Sequence, residues 1–225
     1  MKDPAATKAT VSSKRVLDAA ARLFRDRGYV ATTMRDIARQ AGMKAGSIYY
    51  HYSSKEKLLD AVLDRGTAGV FSGVREAVER LPPKATHREK LHTAITAHLH
   101  SIVKFGDYTL VSRRILGQIP TAIRKKNLKL RESYGRFWRD LFESARLDGA
   151  FRDDADISMN RMFVISIING TIEWYDPAKR PLDDVATEIT RLLFDGLNRP
   201  DGAVGATDAN GRSSGRRSSA PAHAS

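Results

Sequence analysis

The sequence contains no cysteine among its 225 residues. Disulfide bonds, thiolate zinc sites and cysteine nucleophiles are therefore excluded. No uninterrupted apolar stretch approaches the ~18 residues that a membrane-spanning helix requires. No apolar run follows Lys2 and Lys8, as it would in a secretory signal. These absences predict a cytoplasmic protein with no membrane partner.

Motifs of catalytic and cofactor-binding sites are also lacking. No GxSxG, Walker or GxGxxG pattern occurs, and no serine or aspartate stands in a recognisable nucleophile setting. The histidines at 87, 92, 98 and 100 lack the i, i+4 pairing of a zinc protease helix. His98 and His100 moreover point to different faces of a helix. We therefore expect no enzymatic activity, no metal site and no cofactor.

Positive charge is abundant and unevenly distributed. The chain carries 38 Lys and Arg against 26 Asp and Glu, a formal net charge of +12. Residues 1–57 hold 12 basic against 5 acidic residues, whereas residues 58–197 hold 22 against 19. A compact basic segment on a nearly neutral body favours a polyanionic partner, because neutralised phosphates release condensed counterions. Charge alone does not separate DNA from RNA or an anionic membrane.

Apolar residues recur at helical spacing along most of the chain, and no segment shows strand alternation between hairpin turns. The pattern predicts an all-α fold of about nine helices. Residues 1–11 are predicted to form a disordered arm and residues 198–225, rich in Gly, Ser, Ala and Arg, a disordered tail. Between them we predict a helix-turn-helix domain at 12–57 and a helical domain at 58–197.

The segment before residue 57 carries the signals of a helix-turn-helix. Thr33 with Asp36, and Ser53 with Glu56, have the spacing of capping boxes at two helix starts. Three short helices, the last two joined by a turn at Gly42, are typical of this motif, and its second helix enters the major groove of DNA. Its small core is predicted to consist of Ile37, Ala38, Ala41 and Ile48.

That core leaves the other residues of the second helix free to face DNA. Small side chains at Ala45 and Gly46 permit close approach, and Lys44 can donate to a guanine or a phosphate. Thr32 and Thr33 stand at one helix start and Lys55 at the next, where free backbone N–H groups suit phosphate. Besides these three, the predicted DNA-facing residues are Lys44, Ala45, Gly46, Ser47, Tyr49 and Tyr50.

Residues 13–60 resemble the TetR family of bacterial transcriptional regulators. The resemblance is carried by Thr32–Ala38, Ala41-Gly42, Gly46–Tyr52 and Ser54–Leu59, with Tyr52 where the family commonly has Phe. It implies a homodimeric repressor of a palindromic double-stranded DNA operator, with a ligand-responsive C-terminal domain. By matching position, Tyr49, His51 and Lys55 would contact phosphates, and Lys44, Ser47 and Tyr50 would approach bases.

Each of these assignments has a plainer alternative. Tyr49 can pack the small domain, His51 can be a surface histidine, and Lys44 can be a solvated charge. Ala45 and Gly46 can be simple helix residues. A sequence-independent architectural DNA-binding protein without an effector is the alternative at the level of function, but it would need basic residues spread across the body.

The family resemblance also implies that the last two helices form a four-helix interface between two copies. Residues 157–174 and 185–197 carry apolar stripes that suit it, although such stripes also serve as intramolecular core. The predicted dimer contacts are Met159, Phe163, Ile167, Gly170, Ile189 and Leu193.

The effector site is predicted from aromatic residues on the central helices and from basic residues, which suit an anionic ligand group. Ordinary core packing and a solvated charged face are the alternatives. The segment 173–182 resembles a subgroup that governs fatty-acid or steroid breakdown and answers to acyl-CoA thioesters, so an acyl-CoA-like small-molecule effector is a hypothesis. The candidate ligand residues are Phe71, Tyr108, Arg113, Trp138, Phe142, Phe163 and Trp174.

Overall fold

A computed structural model describes residues 4–196, except for the side chains of residues 4–8, 113 and 116. Within this range the chain forms nine α-helices and no strand, so the predicted all-α fold is confirmed. None of these helices has the length and apolar character needed to cross a membrane. The helices are α1 (Pro4–Arg27), α2 (Met34–Gln40), α3 (Ile48–His51), α4 (Lys55–Glu79), α5 (His87–Lys104), α6 (Gly106–Arg114), α7 (Thr121–Leu147), α8 (Ile157–Trp174) and α9 (Leu182–Asp195).

Helix α1 begins earlier than the sequence pattern predicted. Residues 4–11, assigned to a disordered arm, form its first turns. Proline is favoured at the first helical position, where its missing N–H costs no hydrogen bond, and the alanines that follow are strong helix formers. The predicted tail at 198–225 lies outside the described residues.

Side-chain caps define the N-termini of α2 and α4, the helices before and after the segment that contains the turn and α3. Thr33 Oγ1 accepts from Asp36 N, and the Asp36 carboxylate accepts from Thr33 N, so the first predicted capping box is present. At α4 the cap is Ser54, whose Oγ accepts from Lys57 N, and not Ser53 as predicted. Ser54 directly precedes the first helical residue, which places its hydroxyl within reach of the third free N–H.

The buried side chains form two clusters, which we call the N-terminal core and the C-terminal core. The N-terminal core joins α1, α2 and α3 to the first turns of α4 and also contains Tyr108, Val111 and Ile115. The C-terminal core joins the remainder of α4 to α5, α7, α8 and α9. Helix α4 therefore belongs to both cores, and α6 packs against the N-terminal one.

Candidate DNA-contacting surface and ligand cavity

The recognition segment, residues 44–51, consists of a 3-10 turn (Ala45–Ser47) followed by α3. Ile48 is fully buried in the N-terminal core, whereas Tyr49 is 55% and Tyr50 82% exposed. Lys44, Ala45, Gly46 and Ser47 are exposed as well. One buried anchor therefore holds a short segment whose other side chains face outward.

The turn that precedes this segment is held by α1. Gly42 has a φ of +65°, a conformation that favours glycine. Arg15 Nη2 donates to Ala41 O at 2.6 Å and lies 2.9 Å from where a Cβ at Gly42 would stand. Arg15 is thus a positioning residue that the sequence pattern did not reveal, because its contact spans 26 positions along the chain.

The end of the recognition segment also contacts α1. The Ser12 hydroxyl donates to Ala9 O at 3.1 Å, which leaves its oxygen as acceptor for His51 Nε2 at 3.0 Å. Tyr52 Oη lies 3.3 Å from Ser13 Oγ. His51 is therefore oriented by an intramolecular partner, and its contact with phosphate stays a prediction.

Thr32 does not belong to the DNA-facing set. Its side chain is fully buried, and Oγ1 donates to Gly28 O at 2.7 Å inside the loop between α1 and α2. A buried hydroxyl with this partner is not available to a phosphate. Thr33, by contrast, is exposed at the N-terminus of α2. The prediction for Thr32 is therefore corrected, and its role is to hold the loop.

Lys55 is directed inward as well. Its Nζ donates to Tyr29 O at 3.0 Å and to Thr32 O at 2.9 Å, and it lies 4.3 Å from the centroid of the Tyr29 ring. The Tyr29 hydroxyl donates to Glu56 at 3.0 Å, and burial raises the pKa of Tyr29 to about 12. The first turn of α4 is thus tied to the loop between α1 and α2 by an ammonium group and a phenol.

A second candidate site is a cavity of about 470 Å³ between α4, α5, α6, α7 and α8. Among the described side chains, its lining contains the guanidinium groups of Arg131 and Arg161 and no carboxylate. Neither arginine has a carboxylate partner among the described residues. The remaining lining residues are Gly66, Thr67, Val70, His98, Ile102, Thr109, Leu110, Ser112, Tyr134, Gly135, Trp138, Ile165, Ser166, Asn169 and Ile172.

A polar network of three residues from three helices lies at this cavity. His98 of α5 is buried, and desolvation lowers its pKa to about 4, so its ring is neutral at neutral pH. Tyr134 Oη lies 2.7 Å from His98 Nδ1, and His98 Nε2 lies 3.2 Å from Asn169 Oδ1. Asn169 Oδ1 can only accept, so Nε2 carries the proton and the Tyr134 hydroxyl donates to Nδ1.

Among the predicted ligand residues with described side chains, Trp138 is the one that lines this cavity. Phe142 is fully buried in the C-terminal core, and Phe71 packs against the rings of Tyr134 and Phe137 with centroids 5.0 and 5.9 Å apart. Phe163 and Trp174 are 56% and 62% exposed. Phe71, Phe142, Phe163 and Trp174 therefore do not line this cavity, and their part in ligand binding stays a prediction. Aromatic type alone does not distinguish a cavity wall from packing or from an outer surface.

Tyr108 is likewise not a cavity residue, since its hydroxyl donates to Asp18 of α1. The side chain of Arg113 is not among those that the structure describes. Arg131 is one of the basic residues from which the sequence predicted an anionic ligand group. The polar lining residues that sequence reasoning missed are His98, Tyr134, Arg161 and Asn169, which lie on α5, α7 and α8. No local pattern identifies them, because helix packing alone brings them together.

Helix α6 connects the cavity to the N-terminal core. Thr109, Leu110 and Ser112 line the cavity, whereas Tyr108 and Val111 on the other face are buried in the N-terminal core. The two residues before Thr109 also bond to α1, Asp107 through Arg25 and Tyr108 through Asp18. A displacement of α6 by a molecule in the cavity would therefore act directly on the helix that holds the recognition segment.

The outer face of α8 presents large apolar side chains. Met159, Phe163 and Ile167 are exposed as the dimer prediction requires, and a Cβ at Gly170 would meet nothing within 4 Å. On α9, Leu192 of the apolar stripe at 185–197 is exposed as well.

Two residues of α9 in the predicted dimer set belong elsewhere. Ile189 is only 6% exposed and lies in the C-terminal core, and partly buried Leu193 packs against that core. The prediction for Ile189 is therefore corrected: its side chain is already covered within one copy.

Comparisons with known proteins agree with this architecture. Residues 16–62 match the family model of bacterial regulatory proteins of the tetR family, and residues 84–197 match that of the tetracyclin repressor-like C-terminal domain. The transcriptional repressor KstR2 of Rhodococcus jostii is 33% identical over 190 residues, which are 82% of this chain and 90% of the relative.

Two solved structures share the fold. The ketosteroid transcriptional regulator KstR2 of Mycobacterium tuberculosis has a TM-score of 0.72 at 24% identity, over 84% of this chain and 95% of that one. AibR, in complex with isovaleryl coenzyme A and operator DNA, has a TM-score of 0.70 at 23% identity, over 81% and 98%. With both family models matched in order along one chain, this protein belongs to the TetR family of bacterial transcriptional regulators.

Proposed function

We propose that this protein is a repressor that binds a palindromic operator as a homodimer and is released by an anionic small molecule, for which an acyl-CoA thioester is the leading candidate. The observation that carries the proposal is the double role of α6, which lines the cavity with one face and packs into the N-terminal core with the other. The Rhodococcus relative is named a repressor, and AibR is named with a coenzyme A thioester and operator DNA.

DNA is contacted by the exposed part of the recognition segment. Lys44, Ser47 and Tyr50 approach base edges in the major groove, while Tyr49 and His51 contact phosphates. Thr33 adds the free N–H groups at the start of α2. Ala45 and Gly46 allow the backbone to approach the DNA closely.

The homodimer forms through the outer face of α8 together with Leu192 of α9. A contiguous set of exposed Met, Phe and Ile side chains is unusual on a monomer and marks an interaction surface. A two-fold pair of subunits would present two recognition segments to half-sites about 34 Å apart, one turn of DNA.

The effector binds in the cavity, where Arg131 and Arg161 have no carboxylate partner and no carboxylate joins the lining among the residues that the structure describes, which favours an anion. It acts by population shift: the bound form favours a position of α6 in which the two recognition segments no longer span successive grooves. Since Asp107 and Tyr108 bond to α1, this shift reaches the DNA-contacting helices through two polar contacts.

A footprinting assay in excess competitor DNA tests the proposal. A single protected palindrome that is lost on titration with acyl-CoA thioesters is expected, whereas uniform protection would indicate an architectural protein. Light scattering on the wild type and on Phe163→Glu should give dimer and monomer masses. Arg136→Glu, a charge change on an exposed α7 residue outside the cavity lining, is the control and should stay dimeric.

A further inference from the structure

One residue of the cavity lining carries a buried donor for which the described residues provide no partner. Trp138 is fully buried, and its Nε1 forms no hydrogen bond in the described part of the chain. Burial raises the pKa of Tyr134 and the indole N–H lowers it in part, so this N–H lies near the phenol oxygen, although no hydrogen bond joins the two. A buried N–H without an acceptor is costly, which makes this position a natural one for a ligand oxygen.

The lining residues of α7 distinguish an open end of the cavity from a closed end. Arg131, Tyr134, Gly135 and Trp138 follow i, i+3, i+4, i+7 spacing and therefore form one face of the helix. Arg131 and Trp138 are two turns apart, about 10 Å along the axis. Arg131 is exposed and Trp138 is not, so the cation marks the open end of this face and the free N–H its closed end.

The closed end suits a neutral polar group and not a charge. The His98 ring is neutral, and both of its nitrogens are bonded within the network with Tyr134 and Asn169. The Tyr134 hydroxyl donates its proton to His98, so its oxygen can only accept from a ligand. Trp138 Nε1 is the buried donor at this end for which the described residues supply no acceptor.

We infer that the effector is an amphiphilic anion whose ionised group lies at Arg131 and whose apolar part carries an acceptor oxygen, a keto or thioester carbonyl, bonded to Trp138 Nε1. The inference rests on the proposed ligand-responsive function and specifies the chemistry of its cavity. A ligand with a plain alkyl chain would leave the indole N–H without an acceptor, and buried unpaired donors of this kind discriminate strongly between ligands.

The test uses the full-length protein and three matched probes, octanoate, 5-oxooctanoate and 7-oxooctanoate, with binding measured by calorimetry. We expect at least one keto acid to bind about tenfold more tightly than octanoate, the effect of one well-placed hydrogen bond. Trp138→Phe should abolish that preference, measured as the ratio of keto-acid to octanoate affinity within the variant. A preference that survives in Trp138→Phe, or an equal loss for all three probes, would overturn the role given to the N–H.

The anionic end has its own variant and control. Arg131→Gln should weaken all three probes by the same factor, whereas Arg136→Gln, on the same helix but outside the lining, should change none of them. An unchanged affinity in Arg131→Gln would overturn the orientation of the ligand.

A spectroscopic measurement on tryptophan-containing protein guards against a Trp138→Phe variant that does not fold. The chain has two tryptophans, so Trp174→Phe leaves one indole N–H signal in the proton–nitrogen spectrum. Addition of the preferred keto acid should move this signal downfield and octanoate should not, and equal shifts would contradict the inference. Specific operator binding is measured in the same samples: if it persists while no probe binds, the ligand assignment fails and the DNA-binding function stands.

Discussion

The recognition segment and the cavity differ in how their contact residues are arranged and supported. The recognition segment places its contact residues next to one another in the chain, exposes them, and holds them from behind through buried Ile48. The cavity draws its lining residues from five helices, buries His98 and Trp138 among them, and bonds His98 to both Tyr134 and Asn169. A surface that must fit a partner of fixed shape needs a rigid support. The cavity instead pairs His98, Tyr134 and Asn169 with one another, while Trp138 Nε1 has no partner among the described residues.

The largest effect that would test this contrast is expected at the anchor of the recognition segment. Ile48→Ala should lower the free energy of unfolding by about 2–5 kcal/mol, because it leaves a void in the N-terminal core. Tyr50→Ala, two residues away and mostly exposed, should change it by at most about 0.5 kcal/mol. Urea denaturation measures both. Equal losses in the two variants would contradict the division between a buried anchor and an exposed contact face.

The exposed residues of the recognition segment should divide into those that contact bases and those that contact phosphates. Lys44→Ala should cost about 1–3 kcal/mol on the operator and relax the preference at one base pair, if its ammonium donates to a guanine. Tyr49→Ala is the comparison and should weaken specific and non-specific DNA alike. Binding to a set of single-base operator variants is the measurement. The same loss on every sequence would assign Lys44 to the backbone.

The difference between the two regions also explains how far the sequence could predict the molecule. Helical periodicity and the Thr33 cap predicted the fold and the turn because these signals are local. Trp138 was predicted as a ligand residue only because it is aromatic. His98 and its partners Tyr134 and Asn169 were missed, because helix packing brings them together. In the sequence, the α7 residues that line the cavity cannot be told from a solvent-exposed helix face, because the four other helices that surround the cavity come from distant parts of the chain.

Local signals were incomplete even within the DNA-contacting motif. Thr32 and Lys55 stand at positions where the sequence favours phosphate contact, yet one hydroxyl is buried and the ammonium faces two carbonyls. A residue type at a helix start indicates that a group is available, but the direction of a long side chain depends on the loop packed against it. The carbonyls of Tyr29 and Thr32 decide the direction for Lys55.

A Lys55 variant tests whether this residue contacts DNA itself or only stabilises the loop between α1 and α2. Lys55→Met should lower the free energy of unfolding by about 1–3 kcal/mol, since two carbonyls lose a charged donor. The slope of operator affinity against salt should stay unchanged, whereas removal of a phosphate contact would reduce it by about 0.9. Lys57→Met, at an exposed position in the same turn, is the matched control for stability. A reduced slope in Lys55→Met would restore its role as a phosphate contact.

The smallest effect concerns the link between α6, which lines the cavity, and α1, which holds the recognition segment: the hydrogen bond from Tyr108 to Asp18. Burial favours a higher pKa for Asp18, but the hydrogen bonds from Lys14 and Tyr108 outweigh it and hold the pKa below 3.8. A lowered carboxyl pKa stabilises the folded state above the unfolded value, and this contribution is lost as pH falls through the folded value. Tyr108→Phe should therefore cost about 1 kcal/mol at neutral pH.

The pH dependence of this cost distinguishes the hydrogen bond from packing. Because Asp18 becomes protonated as pH falls below 3.8 toward its folded pKa, the stability curves of wild type and Tyr108→Phe should converge there. In an Asp18→Asn background the Tyr108→Phe change should lose this pH dependence, which completes a double-mutant cycle. A difference that stays constant with pH would mean that the phenol oxygen contributes through packing alone, and α6 would then be linked to α1 at this point by apolar contact and not by charge.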